Sequence, residues 1–322
     1  MKWLVAKIFA LESRDDTSAV AVIAAISGFL VGIAYSTWHV VLESAQIIAG
    51  IVEHSLELPN YLFLLKAWNL LNQGAAIFLK AGLLEKPICI VISGLLGMVS
   101  FLALSLATYA MCKNAFVAVG MPFFIQFTHA AQFGIQYPLV ILGIWSSYGA
   151  FSFGFNLLVI SLISLKKYRA GGFLLGIAPG IHVVTGGFLW IVSLVVLFWD
   201  FKNHWELFKK TVKSFLAGVT FSAISFLTHT ALFGFIWGQG GGDAEILGAY
   251  LRHWDFHRAP VNLLSVNFII GIYSLAVCLM GVFFFKRNQG VSGDSLFQLQ
   301  ALSIFGILGL LASLISHLPH EL

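Results

Sequence analysis

The sequence predicts an all-α polytopic membrane protein with about seven to nine transmembrane helices, a short-helix hairpin among them. Three observations carry this. First, of 322 residues 59% are hydrophobic and only 10% charged, where an ordinary soluble domain carries about 25% charged residues. Mean hydropathy is +0.92. A soluble fold could not cover its surface with so few polar groups, and a bilayer removes that need. Second, charge-free runs recur at the length, about 20 residues, that carries a helix across hydrocarbon. Third, the aromatic residues, 30 Phe and 9 Trp, suit lipid-facing helices with interfacial belts. Residues 1–322 read as a single transmembrane domain.

The spans follow in order. Thr17 to Thr37 is the first charge-free run and Pro87 to Met111 the second. Asn114 to Leu165 carries no charge over a length sufficient for two spans, joined between His129 and Pro138. Ala170 to Trp199, Ser214 to Trp237, Val261 to Phe285 and Ser295 to His317 complete the set. The chain stops a few residues past the last run, at His320-Glu321-Leu322, which predicts that further sequence follows. The first run has a mixed-charge leader and no small-residue cleavage site, so no removable signal peptide is expected. Cys89, Cys112 and Cys278 are too scattered for a metal motif or a disulfide framework.

Orientation follows from the basic residues. Lys166, Lys167 and Arg169, then Lys202, Lys209, Lys210 and Lys213, then Lys286 and Arg287 mark the cytoplasmic side, together with an N-terminus carrying Lys2, Lys7 and Arg14. Glu43, Glu53, Glu57, Glu85, Asp243, Glu245 and Asp255 then fall outside. The net charge of +4 is sorted by topology, and no nucleic-acid partner is expected. Residues 170–199 have basic clusters at both ends and Pro179-Gly180 near the middle. That pattern predicts a re-entrant hairpin of two short helices, because irregular backbone at such depth survives only inside protein or along a cavity. Gly172, Gly176 and Gly180 share one face and permit close helix contact. The competing reading is one long span kinked at proline.

The first outer loop, residues 38–86, is too long for a bare connection. His39, Glu43, Gln46, Gly50, Glu53 and Glu57 recur at spacings of three and four, opposite Val40, Ile47, Ile48, Ile51 and Val52. This predicts an amphipathic helix, ended by Pro59. Lys66, Asn69, Gln73 and Lys80 form the stripe of a second. Two such helices make a platform in the interface. The alternative is that Tyr61 to Leu79 crosses the membrane. Residues 238–260 form a second outer loop.

No Walker loop, HExxH, CxxC or dinucleotide fingerprint is present. The layout instead resembles the membrane glycosyltransferases of the GT-C superfamily. The pieces that match are Thr17–Thr37, the loop 38–86 with Glu43, and the pair around Pro179-Gly180. The run Tyr168-Arg169-Ala170-Gly171-Gly172-Phe173-Leu174-Leu175-Gly176-Ile177-Ala178-Pro179-Gly180-Ile181-His182 is similar to a segment of uncharacterised bacterial proteins of this layout. The resemblance implies a bacterial cytoplasmic membrane location and a polyprenyl-phosphate-linked sugar donor, with membrane lipids as the other partners. It also implies an acidic residue near the end of the first span, acting in catalysis or metal binding. Unlike the best-known members, the first loop here has no paired acidic motif such as Asp-Glu.

Glu43 is the leading catalytic candidate: a carboxylate sheltered on one side could take a proton from an acceptor hydroxyl. His39, one turn earlier, could orient it, and Glu53 and Glu57 stand farther along. In Arg252-His253-Trp254-Asp255-Phe256-His257-Arg258, Arg252, Arg258 and His257 could hold a phosphate, since the guanidinium fork bonds phosphate oxygens in pairs. A belt contacting headgroups is the plainer reading. Asp255 with His253 and His257 alternates as metal ligands would on a strand, and no strand is expected. No metal site is assigned, and a divalent metal is the one cofactor left open. His182 is ionisable at membrane depth and so a functional candidate. It could equally bond a backbone carbonyl freed by Pro179. His129 and His229 are weaker candidates. Two other functions fit the same features. A solute or lipid transporter would use the broken helix at Pro179-Gly180, and a non-catalytic scaffold would present the first loop to a partner.

Overall fold

The computed structural model describes residues 16–34, 42–53, 64–130, 148–234, 266–287 and 293–315. Its elements are all helical: α1 (Thr17–Ala34), α2 (Glu43–Ala49), α3 (Leu70–Lys80), α4 (Glu85–Cys112), α5 (Ala115–Ala130), α6 (Tyr148–Ser164), α7 (Tyr168–Ile181), α8 (Val183–Trp199), α9 (Phe201–Phe233), α10 (Val266–Arg287) and α11 (Gly293–Ile315). α1, α4 and α9 are long and apolar enough to cross a membrane, and five shorter apolar segments accompany them. This make-up is consistent with an integral membrane protein. Large apolar side chains such as Phe116 and Val184 stay exposed, as lipid-facing residues do.

α1 lies against α4 at glycine-to-backbone distance. A Cβ on Gly28 would sit 2.5 Å from the Gly97 carbonyl oxygen and 2.6 Å from Phe101 Cβ. With no hydrophobic drive between helices in lipid, such small residues let backbones touch and gain dispersion. α7 meets α9 in the same way through Gly172, Gly176 and Gly218. The central core gathers Phe151, Phe155 and Val159 of α6, Leu175 and Ala178 of α7, Leu189 and Val192 of α8, and Phe297 and Ala301 of α11.

α7 and α8 fold back on each other. Ala178 meets Gly186, and Trp190 Nε1 donates to the Leu175 carbonyl at 2.7 Å, so the pairing is antiparallel. The turn is His182 alone, in extended backbone (φ −156, ψ 114). Pro179 does not break α7. Its missing N–H frees the Leu175 carbonyl, and the Trp190 indole, not His182, takes that carbonyl up. The long span also begins earlier than hydropathy predicts, at Phe201 rather than Ser214, because Lys202 to Lys213 continue the same helix.

The first loop folds as two short helices on the start of α4. Leu42, Ala45 and Ile48 pack with Ala75, Ala76 and Leu79 over Ile88, Cys89 and Ile92. The expected helix through Glu53 to Pro59 ends instead at Gly50, which is left-handed (φ 74). There the Gly50 and Ile51 N–H groups close onto Ile47 and Gln46 carbonyls, a Schellman-type stop that glycine favours. α3 has 11 residues, a rise of ~16 Å. That is well short of the ~30 Å of hydrocarbon, too short for this helix to span it alone.

Candidate functional site

The residues around α3, the α7–α8 turn and the far half of α9 form a polar nest in an otherwise apolar molecule. α9 supplies an inner stripe. Thr211, Gly218, Ser222 and His229 are its buried positions, and Ser225 falls on the same side at helical spacing. Ser222 Oγ donates to the Gly176 carbonyl at 3.3 Å, tying the stripe to α7.

α3 turns its polar residues toward this stripe. Asn69 caps the helix, its side chain accepting from Leu71 N (2.8 Å) and Asn72 N (3.1 Å). Its Nδ2 donates to the Ile181 carbonyl at 2.6 Å, in a buried position. The last carbonyl of α7 is therefore closed by the first loop. Trp68 Nε1 donates to Ser225 Oγ at 3.0 Å, Ser225 Oγ donates to Gln73 Oε1, and Gln73 Nε2 reaches back to the Ser225 carbonyl at 3.4 Å. Each donor in this relay has one acceptor, which is what buried polar groups require.

His229 lies one turn beyond Ser225 and is 1% exposed. Its ring stacks at 5.0 Å on Phe233 and faces the backbone of Leu65 and Lys66. Neither ring nitrogen has a hydrogen-bond partner among the described residues. The Lys66 side chain runs beside Gly234 at the end of α9, where the helix dipole favours a cation. A buried imidazole set against the Leu65 and Lys66 backbone is able to donate to an oxygen or exchange a proton with a hydroxyl.

His182 caps α8: its Nδ1 accepts from Thr185 N at 3.3 Å, which leaves the proton on Nε2. Thr185 Oγ1 donates to Ser152 at 2.7 Å and Asn156 Nδ2 to the Thr185 carbonyl at 3.0 Å, so the turn is anchored on α6 as well. Glu43 opens α2 and is exposed. No part of the protein covers it, and no described residue forms a hydrogen bond or ion pair with it. Glu53 is exposed beyond the helix. His39, Glu57, Arg252, His253, Asp255, His257, Arg258 and the side chain of His129 lie outside the described residues. Among the described residues no three His, Cys, Asp or Glu side chains come together as a metal site. No family model matches the chain, and no curated protein or solved structure matches it.

Sequence reasoning named Asn69 and Gln73 without a role and missed Trp68 and Ser225. The available signal was the series Gly218, Ser222, Ser225, His229, small and polar residues three and four apart in an apolar helix. In membrane helices that pattern marks a packed, hydrogen-bonded face.

Proposed function

We propose that the chain is a lipid-carrier-dependent glycosyltransferase of GT-C type, acting at the outer face of a bacterial cytoplasmic membrane. One observation carries the reading. The first-loop helix is fastened both to the tip of a short-helix hairpin, through Asn69 and Ile181, and to a long apolar helix, through Ser225. The resemblance implies these same pieces, a two-helix first loop and a short-helix pair, and their junction here is a polar nest in an otherwise apolar molecule. In this reading the protein spans the membrane seven to nine times with its N-terminus cytoplasmic, and α7–α8 re-enter from the cytoplasmic side.

The mechanism divides the work among the chain's own residues. Glu43, with His39 orienting it, takes the proton from the acceptor hydroxyl as that oxygen attacks the anomeric carbon. The bond from that carbon to the phosphate oxygen breaks, and the polyprenyl phosphate leaves. Arg252, Arg258 and His257 steady the leaving phosphate, where charge develops in the transition state. His229 and Lys66 supply the ionisable groups of the nest for a polar group of donor or acceptor. Asp255, Glu53 and His182 stand in supporting positions.

The test is sugar transfer from a polyprenyl-phosphate donor in proteoliposomes. Glu43→Gln abolishes transfer while leaving the thermal midpoint unchanged. Full activity in that variant removes Glu43 from its role, and no transfer from any such donor by the parent protein overturns the reading. A solute transporter is favoured by one feature, the helix break at His182 beside the nest, and would show substrate-dependent flux in the same liposomes.

A further inference from the structure

The opposite end of α9 carries a second set of features that the proposed chemistry does not use. Lys166, Lys167, Tyr168, Arg169, Ala170 and Lys210 line an open pocket of about 550 Å³. Four of these six residues are cationic. The acid nearest in sequence, Glu206, is already paired with Lys209, while Lys210 extends over the Tyr168 ring at 5.5 Å. Lys166 is held in left-handed backbone (φ 61), a conformation that L side chains rarely adopt. The turn keeps it because the Lys166 and Lys167 N–H groups close onto Ile163 (3.0 Å) and Leu162 (2.8 Å) carbonyls.

Near this pocket is a cavity of about 210 Å³ between α6, α7, α8, α9 and α11, walled by Ile163, Leu175, Trp190, Leu194, Phe215 and Phe297. Their linings have no residue in common but are neighbours along the chain: Lys210 lines one and Thr211 the other, and Ile163 precedes Lys166 by less than a turn. The polar side chains on the cavity wall are occupied elsewhere: Trp190 on the Leu175 carbonyl, Ser193 on Leu189, Thr211 on Leu207 and His204 on Gln300. None is left for a polar occupant, so the cavity suits hydrocarbon.

We propose that this basic pocket and the nearby apolar cavity form a binding site for one anionic phospholipid, the phosphate held by Lys166, Lys167, Arg169 and Lys210 and an acyl chain entering between α8 and α9. Charge complementarity selects the headgroup and the saturated wall selects the chain. The site is independent of the glycosyltransferase reading and stands if that reading fails.

The experiment titrates the full-length protein, in neutral detergent, with phosphatidylglycerol and reads bound lipid by native mass spectrometry. At about a factor of five per cation near an anionic headgroup, Lys167→Ala/Arg169→Ala/Lys210→Ala weakens binding on the order of a hundredfold. Leu194→Trp, at a wall residue that is 52% exposed and so tolerant of change, fills the cavity and weakens binding about tenfold by excluding a pair of methylenes. Lys202→Ala/Lys213→Ala, on the same helix but outside the pocket and leaving the Lys209–Glu206 pair intact, changes it by a small factor only, and millimolar inorganic phosphate does not displace the lipid. Equal losses per charge removed from the two variants would reduce the feature to a generally cationic face and overturn the proposal. Displacement by inorganic phosphate, with no effect of Leu194→Trp, would make it a free-phosphate pocket and overturn the lipid assignment.

Discussion

Gly176→Ala isolates the contact on which the geometry of the nest depends. An added Cβ would lie 2.7 Å from Val219 N and 2.8 Å from Gly218 C, and closer still to the Phe215 carbonyl oxygen. All three atoms are backbone, so no side chain can swing aside. Ordinary contact begins near 3.4 Å, and α7 must therefore retreat from α9 by roughly 0.7 Å or more. Overpacking of this kind costs about 1–3 kcal/mol. Alanine returns about 0.5–1 kcal/mol as the better helix former, leaving a net loss of about 1–2 kcal/mol. Gly187→Ala is the matched control, because its added Cβ meets nothing within 4 Å, and it should raise stability by that same propensity gain. The assay is reversible unfolding in mixed detergent micelles. Trp190 fluorescence serves as the local probe, since that ring stacks edge-on against Phe215 at 5.4 Å. Equal midpoints for Gly176→Ala and Gly187→Ala would refute the claim that α7 and α9 meet backbone to backbone.

Three further outcomes test other joints. Asn69→Ala removes both a helix cap and the donor to Ile181, at a cost of about 2–4 kcal/mol; Asn69→Ser, keeping the cap alone, should fall between it and the parent in the same unfolding assay. Gln300→Leu strands buried His204, whose Nε2 meets Gln300 Oε1 at 2.6 Å, and should cost about 1–3 kcal/mol. Adding His204→Phe should restore most of that, and an additive double variant would deny the pairing. His229→Phe should leave the unfolding midpoint within about 1 kcal/mol of the parent, because one buried aromatic ring replaces another beside Phe233, yet lower sugar transfer at least tenfold. A large drop in stability would assign the ring a structural partner instead.

What was legible in the sequence was whatever hydropathy and small-residue spacing encode. Charge-free length located the apolar helices, and the Gly172–Gly176 face was read correctly as a close-packing surface. Gly28 and Gly32 form the same four-residue pattern on α1 but were hidden by attention to length alone. Helix ends were less legible, because hydropathy registers burial and not hydrogen bonding. Lys202 to Lys213 looked like a loop but are helical. Proline at 179 looked like the break, although the Leu175 carbonyl it orphans is satisfied by Trp190, 15 residues along the chain.

The first loop shows why the candidate site could be foreseen only in part. Periodicity separates polar from apolar faces but does not say whether the polar face meets water or protein. On α3 the usual inference fails: Ile77 and Phe78 are the exposed residues, at 67% and 55%, while Asn69 and Asn72 are buried and Gln73 is bonded to α9. In contact with lipid, exposing Ile and Phe costs little and an unpaired amide costs several kcal/mol. The inversion is therefore what a helix at the edge of a bilayer should do wherever a membrane-spanning partner offers complementary donors and acceptors. Ser225 and the Ile181 carbonyl are that offer. The amphipathic platform and the polar stripe of α9 are two halves of one feature, each ambiguous alone, and His229 is buried beside the place where they close on each other.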